Sequence, residues 1–250
     1  MIAFEFPLTE EVRTWLRLEA AWGRWCHFTA GDAAHDHHAA LAALFECVAI
    51  AGRSDLKRHL IAALTELTAA GRGDQPVSHL ATTEAAALAS QLLDLLHDQP
   101  SRLDHLVRHQ PLLDALRTRT HVPGGVCGFD LPAYHYWLAL PAEKRRAALV
   151  RWVKPAEPLF AALTAILAHL RAQGTAQSAE AIGGAFQQPL AGKLPRLVQV
   201  AVSAADRVIP KVAANKYQLN LHFLTIRDDG TVTDRYQGPE RLPFRLTLCG

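Results

Sequence analysis

Apolar residues follow two rhythms along this chain. Up to about residue 174 they recur mostly three and four positions apart, as on a helix. After Gly183 and Gly184 they mostly alternate, as in strands. The first residues are an exception: Ile2, Phe4 and Phe6 share one face and Pro7 closes the run, which predicts a short strand joining a C-terminal sheet. Thr9 then reads as an N-cap, with Glu10 and Glu11 in the first helical turn. The helix that follows gathers Val12, Trp15, Leu16, Trp22 and Trp25 on a broad stripe, with Arg13, Arg17 and Arg24 mostly opposite.

Further helices are predicted over 36–52, over 55–70 between a Ser54 cap and Gly71, over 79–98 before Pro100, and from a Ser101–Asp104 start. Others run from Pro111 to about 119, over 141–151 and over 156–173. Residues 71–76 read as a loop. Asp130 is expected to cap a helix opening at Leu131-Pro132, whose Tyr134, Tyr136 and Trp137 read as core. The small, polar stretch 174–184 reads as a linker or mobile loop. Strands are predicted over 196–202, 217–226 and 241–248, and Asp229-Gly230 signals a hairpin. In the second strand Tyr217, Leu219, Leu221 and Phe223 share a face. In the third, Leu242, Phe244, Leu246 and Leu248 point inward and Arg241, Arg245 and Thr247 outward. The fold class is therefore α+β. A mainly helical domain over 1–182 is joined through its N-terminal strand, residues 2–6, to a small antiparallel β-strand domain over 183–250.

Composition narrows the class. Half of the 250 residues are apolar and a fifth are charged, the balance of a folded globular chain. The net charge of +2 does not suggest a nucleic-acid protein, but it is unevenly placed: residues from Gly183 onward carry nine basic and five acidic side chains. That asymmetry suggests an acidic partner for the C-terminal part. Cys26, Cys47, Cys127 and Cys249 have no metal-ligand spacing and read as reduced cytosolic thiols. The N-terminus has no signal-peptide pattern and no apolar run is long enough to span a membrane, so a cytoplasmic location without membrane contact is expected.

No set of residues assembles catalytic chemistry. His35, Asp36, His37 and His38 form the densest group of metal-ligating types, but adjacent residues rarely converge tetrahedrally and no downstream pair completes them; they read as a solvated loop or helix start. Cys127, with His121 or His135 as base, is the one nucleophile to weigh, and a small buried thiol is the simpler reading. The glycines of VPGGVCGFD lack a phosphate-loop ending and read as a sharp turn. No catalytic residue, metal or cofactor is therefore expected. What remains is the outward face of the C-terminal sheet, where Arg241 and Arg245 alternate while Lys216 and Arg227 flank what reads as the neighbouring strand.

Three stretches carry a resemblance: FEFPLTEEVRTWLRLE over 4–19, VPGGVCGFDLPAYHYWLALP over 122–141 and GPERLPFRLTLC over 238–249. In that order they resemble the opening, central signature and last strand of the ZapD family. The resemblance implies a helical domain, a β-strand domain, a homodimer and no enzymatic activity. It implies FtsZ as partner, held by the short C-terminal tail of that filament protein on basic residues of the β-strand domain, and a role in crosslinking and bundling FtsZ filaments at the midcell division ring. Arg241 matches a basic position of that site, as does Lys216, while Gln218 and His222 stand where arginines are expected. The site implied here is Lys216, His222, Arg227, Arg241 and Arg245. The alternatives are a cytosolic enzyme using Cys127 with a nearby histidine, or a helical adaptor for another acidic peptide.

Overall fold

The computed structural model describes residues 1–52, 55–70, 89–93, 103–233 and 235–250. They divide into two compact units, Thr14–Leu167 and Met1–Arg13 with Ala168–Gly250. The Ser54 cap, the stop at Gly71, the loop at 71–76, most of the helix expected over 79–98 and the start at Ser101 lie outside the described residues; 89–93 are helical.

The first unit is helical. Its elements are α1 (Glu10–Ala30), α2 (Ala34–Ala51), α3 (Leu56–Ala70), α4 (Asp104–Arg108), α5 (Pro111–Arg119), α6 (Pro132–Ala139), α7 (Ala142–Val153) and α8 (Glu157–Ala172). The first turn of α1 and the last residues of α8 belong to the other unit. The α1 stripe buries Trp15, Leu18, Ala21 and Trp25, while Trp22 is half-buried and stacks on Trp25 and on Phe160 of α8. Against α2 and α7 lies an uncommon core group, a buried guanidinium. Arg145 donates from Nε to His37 Nδ1 at 2.8 Å, and to the carbonyls of Leu138, Leu140 and Asp32. Arg146 beside it donates to the carbonyls of Thr29, Ala30 and Gly31, which end α1. Carbonyls at helix ends lack intrahelical donors; here two arginines supply them.

The second unit is a seven-stranded antiparallel sheet in the order β1-β4-β7-β2-β3-β6-β5. The strands are β1 (Ile2–Pro7), β2 (Thr175–Ile182), β3 (Ala185–Pro189), β4 (Leu197–Val202), β5 (Val208–Ala214), β6 (Gln218–Thr225) and β7 (Arg241–Cys249). The expected N-terminal strand is present and pairs with β4, Phe4 opposite Val200. The stretch expected to be a linker or mobile loop is instead β2, paired with β7 along its whole length, so the sheet extends before the division drawn after residue 182. Small residues do not preclude a strand when a neighbour supplies the ladder.

Gly183 and Gly184, with φ of 57° and 77°, make the two-residue turn between Ile182 and Ala185. Two consecutive positive φ angles are what a twisted tight hairpin requires. β2 and β3 pair only there, then diverge. The sheet thus folds at this corner, and its apolar face closes on itself: Phe186 and Phe223 each meet Phe244 with ring centroids 5.1 Å apart. Val198, Val200, Leu219, Leu221, Leu242 and Leu246 fill the same core. Tyr217, expected on this face, is instead 64% exposed, because it sits in the β5–β6 turn ahead of the strand.

Candidate functional site

The basic residues expected to bind a partner all lie in the sheet unit, but not on one surface. β7 is an interior strand, and β2 and β3 separate it from β6. The expectation that residues 217–226 neighbour the last strand is therefore corrected. Because the two halves of the sheet pack apolar face to apolar face, the outward faces of β7 and β6 look away from each other.

Arg241 and Arg245 point outward from β7, as the alternation requires, while Thr247 on the same face is buried. Arg241 already has a partner across the β2–β7 ladder: its Nη1 is 3.0 Å from Glu180 Oε2. Both side chains are largely exposed, so this pair contributes little to stability, about 0–1 kcal/mol. Arg245 lines a cavity of about 610 Å³ with Met1, Ser178, Glu180, Ser203 and Asp206. Acids thus share its surroundings. Further along this face Glu5 is held by Arg171 at 2.8 Å to each carboxylate oxygen, and by Gln199. The Arg171 bonds keep the Glu5 carboxyl below its ordinary range, although burial opposes them.

The outward residues of β3, β6 and β5 differ. Ala185, Gln187 and Pro189 stand beside Gln218, Asn220, His222 and Leu224, which stand beside Ile209, Lys211 and Ala213. None is a carboxylate. His222 and Lys211 are directly opposite in the register, which brings two side chains able to donate hydrogen bonds together on this face. At the end of this hairpin the Asn215 carboxamide accepts the amides of Tyr217 and Gln218, fixing a turn on which Lys216 Nζ lies 4.8 Å above the Tyr217 ring. Arg227 stands beyond the other end of β6, where the Asp229-Gly230 signal is met: Gly230 donates to the Arg227 carbonyl and Ile226 bridges Val232. Lys216 and His222 therefore share a hairpin, Arg227 flanks it and Arg241 and Arg245 lie elsewhere. Lys211 was not singled out from sequence, and Tyr217 was read there only as an inward strand residue. Pro210 within β5 obscured the strand that pairs Lys211 with His222.

The histidine cluster serves α2. Asp36 Oδ2 accepts the Ala33 amide at the helix start, His37 faces Arg145, His38 Nδ1 is 2.6 Å from the Tyr134 hydroxyl and His35 is exposed. His37 is buried rather than solvated, and burial, reinforced by Arg145, lowers its pKa. Cys127 is exposed, not a buried thiol, and among the described residues no hydrogen bond joins it to His121 or His135. Asp130 does not cap α6; it pairs with Arg119 at 3.3 Å. No described helix is long and apolar enough to cross a membrane.

A family described as "ZapD: Cell division protein" matches residues 16–222. Three proteins named "Cell division protein ZapD" align over the whole chain. Those of Dechloromonas aromatica and Aromatoleum aromaticum are 39% and 36% identical, with 99% and 97% of their own lengths covered. That of an Azoarcus species is 33% identical, with 99% covered. The chain belongs to the ZapD family of cell division proteins.

Proposed function

We propose that this protein is a non-enzymatic division factor that binds the C-terminal tail of FtsZ and, as a homodimer, crosslinks and bundles FtsZ filaments at the midcell ring. It works in the cytoplasm, without cofactor, nucleic acid or membrane. Family membership along the full chain supports the cell-division role. The observation that carries the tail site is the carboxylate-free outward face of β3, β6 and β5, where Lys211 and His222 stand opposite each other beside the Lys216–Tyr217 turn.

Within the proposed site, Lys216 and His222 with Lys211 make the first contact, and Arg227 extends it. Arg241 and Arg245 are the second group; Glu180 already engages Arg241, and Asp206 with Glu180 shares the cavity of Arg245. A short peptide held on one face cannot reach both groups. The dimer is assigned to the helical unit, because one tail site per chain decorates a filament while a two-fold pair of sites joins two.

The test is calorimetry of an FtsZ tail peptide against full-length variants. Lys211→Glu and His222→Glu should each weaken binding about tenfold, and rising salt should weaken it further as exposed charges are screened. Loss of binding in Arg241→Glu and Arg245→Glu alone would move the site to β7. No loss in any of the four would remove the sheet from tail binding.

A further inference from the structure

The helical unit carries a cavity that tail binding on the sheet does not use. It measures about 570 Å³ and is lined from α2, α4, α5 and the segment after α5. Phe45 and Val48 of α2 give it an apolar floor, with Val48 buried. Around them stand Arg108, Arg117, Thr120 and His121. Among the described residues Asp104 is the one carboxylate of the lining, and Arg108 Nη2 bonds it at 3.2 Å. That pairing offsets the acid and, among the described residues, leaves Arg117 and His121 as the donors lining the space. Among the described residues Arg117 makes no ion pair. The hydroxyls of Thr118 and Thr120 are committed to the carbonyls of Asp114 and Arg117, so charge recognition falls to the arginine and the histidine.

We propose that this trough is a second peptide site, for an acidic segment that carries an apolar side chain. The apolar side chain rests on Phe45 and Val48, and a carboxylate beside it takes its hydrogen bonds from Arg117 and His121. Two features favour a chain segment over a small molecule. Ala49, Gly52, Thr118, Thr120 and His121 are exposed, so the trough is open along its rim, whereas small-molecule sites enclose most of their ligand. An apolar anchor beside a basic contact is also a recurring way to hold a peptide. The site belongs to a different compact unit from the sheet face, and it stands or falls separately from tail binding there.

The experiment uses the full chain and a labelled peptide, Gly-Asp-Phe-Asp-Leu-Asp, with its phenylalanine replaced by benzoylphenylalanine for photo-crosslinking. A control peptide has lysine at every aspartate. The acidic probe is expected to crosslink within 45–52 or 117–121, and the lysine control is not. Arg117→Glu should reduce that crosslink at least about tenfold, since a charged hydrogen bond is lost and repulsion replaces it. His121→Glu, at an exposed position, gives the same reading if the first variant fails to fold. Crosslinks confined to the sheet unit, or equal crosslinking within 45–52 and 117–121 in folded Arg117→Glu and His121→Glu, would overturn the proposal. Binding of the probe at Lys211 and His222 alone would leave the sheet reading intact while removing this one.

Discussion

Replacing Arg145 by Met removes the guanidinium and keeps a side chain of similar reach. In the native protein Arg145 is 6% exposed and has no carboxylate partner among the described residues. Its charge is held by His37 Nδ1 and the carbonyls of Leu138, Leu140 and Asp32. The substitution strands these four acceptors. A buried acceptor without a donor costs about 1–3 kcal/mol. The three carbonyls are partly reachable by water and belong at the low end; His37 is fully buried and does not. Relief of the guanidinium's own desolvation offsets part of the loss. The net destabilisation expected is about 3 kcal/mol, or a fall in Tm of roughly 6–12 °C for a unit of this size. Urea unfolding followed by tryptophan fluorescence measures it selectively, because Trp15, Trp22, Trp25, Trp137 and Trp152 all lie in the helical unit. A variant within about 0.5 kcal/mol of wild type would show that the arginine node does not hold this unit together.

Acid should weaken both units in separate windows. The native His37 pKa is lowered, so below about 6.5 the unfolded chain binds the proton more readily and helical-unit stability falls as pH drops. The lowered Glu5 carboxyl contributes stability above about 4.5 that is lost as pH falls through its native value, which a tryptophan-free probe such as amide exchange in β1 and β4 would follow. Gly184→Ala should destabilise the sheet unit by about 2 kcal/mol, since φ is +77° and an added Cβ would overlap the Tyr236 ring; a melting curve unchanged from wild type would refute the corner. Cys127→Ser should leave filament bundling intact in light scattering, because the thiol is exposed and bonds to neither histidine; lost bundling in a folded variant would make Cys127 part of an interface.

The α1 stripe, the Pro111 and Pro132 helix starts and the alternation of β7 were all legible in the sequence, because burial there follows a simple period. Three features were not. β2 is small and polar, and only its ladder with β7 makes it a strand. β3 is short and ends in Pro189, and β5 contains Pro210, so neither shows a clean alternating run. Missing them put β6 beside β7 and merged two outward faces into one. The residue types of the proposed binding surface were readable, but their grouping depends on strand order, which periodicity does not encode. The Arg145–His37 bond joins residues far apart in sequence and left no local pattern. The central signature at 122–141 lies within the residues that the family matches. Within it Tyr134 and Trp137 are buried, whereas Phe129 is 83% and Tyr136 70% exposed.

The most direct test of the central claim is co-sedimentation of the purified protein with GTP-assembled FtsZ, using full-length FtsZ and FtsZ lacking its C-terminal tail. The protein should pellet with full-length filaments, raise their light scattering and remain in the supernatant with the tailless ones. Equal pelleting with both, or no pelleting with either, would contradict recognition of the filament through its tail.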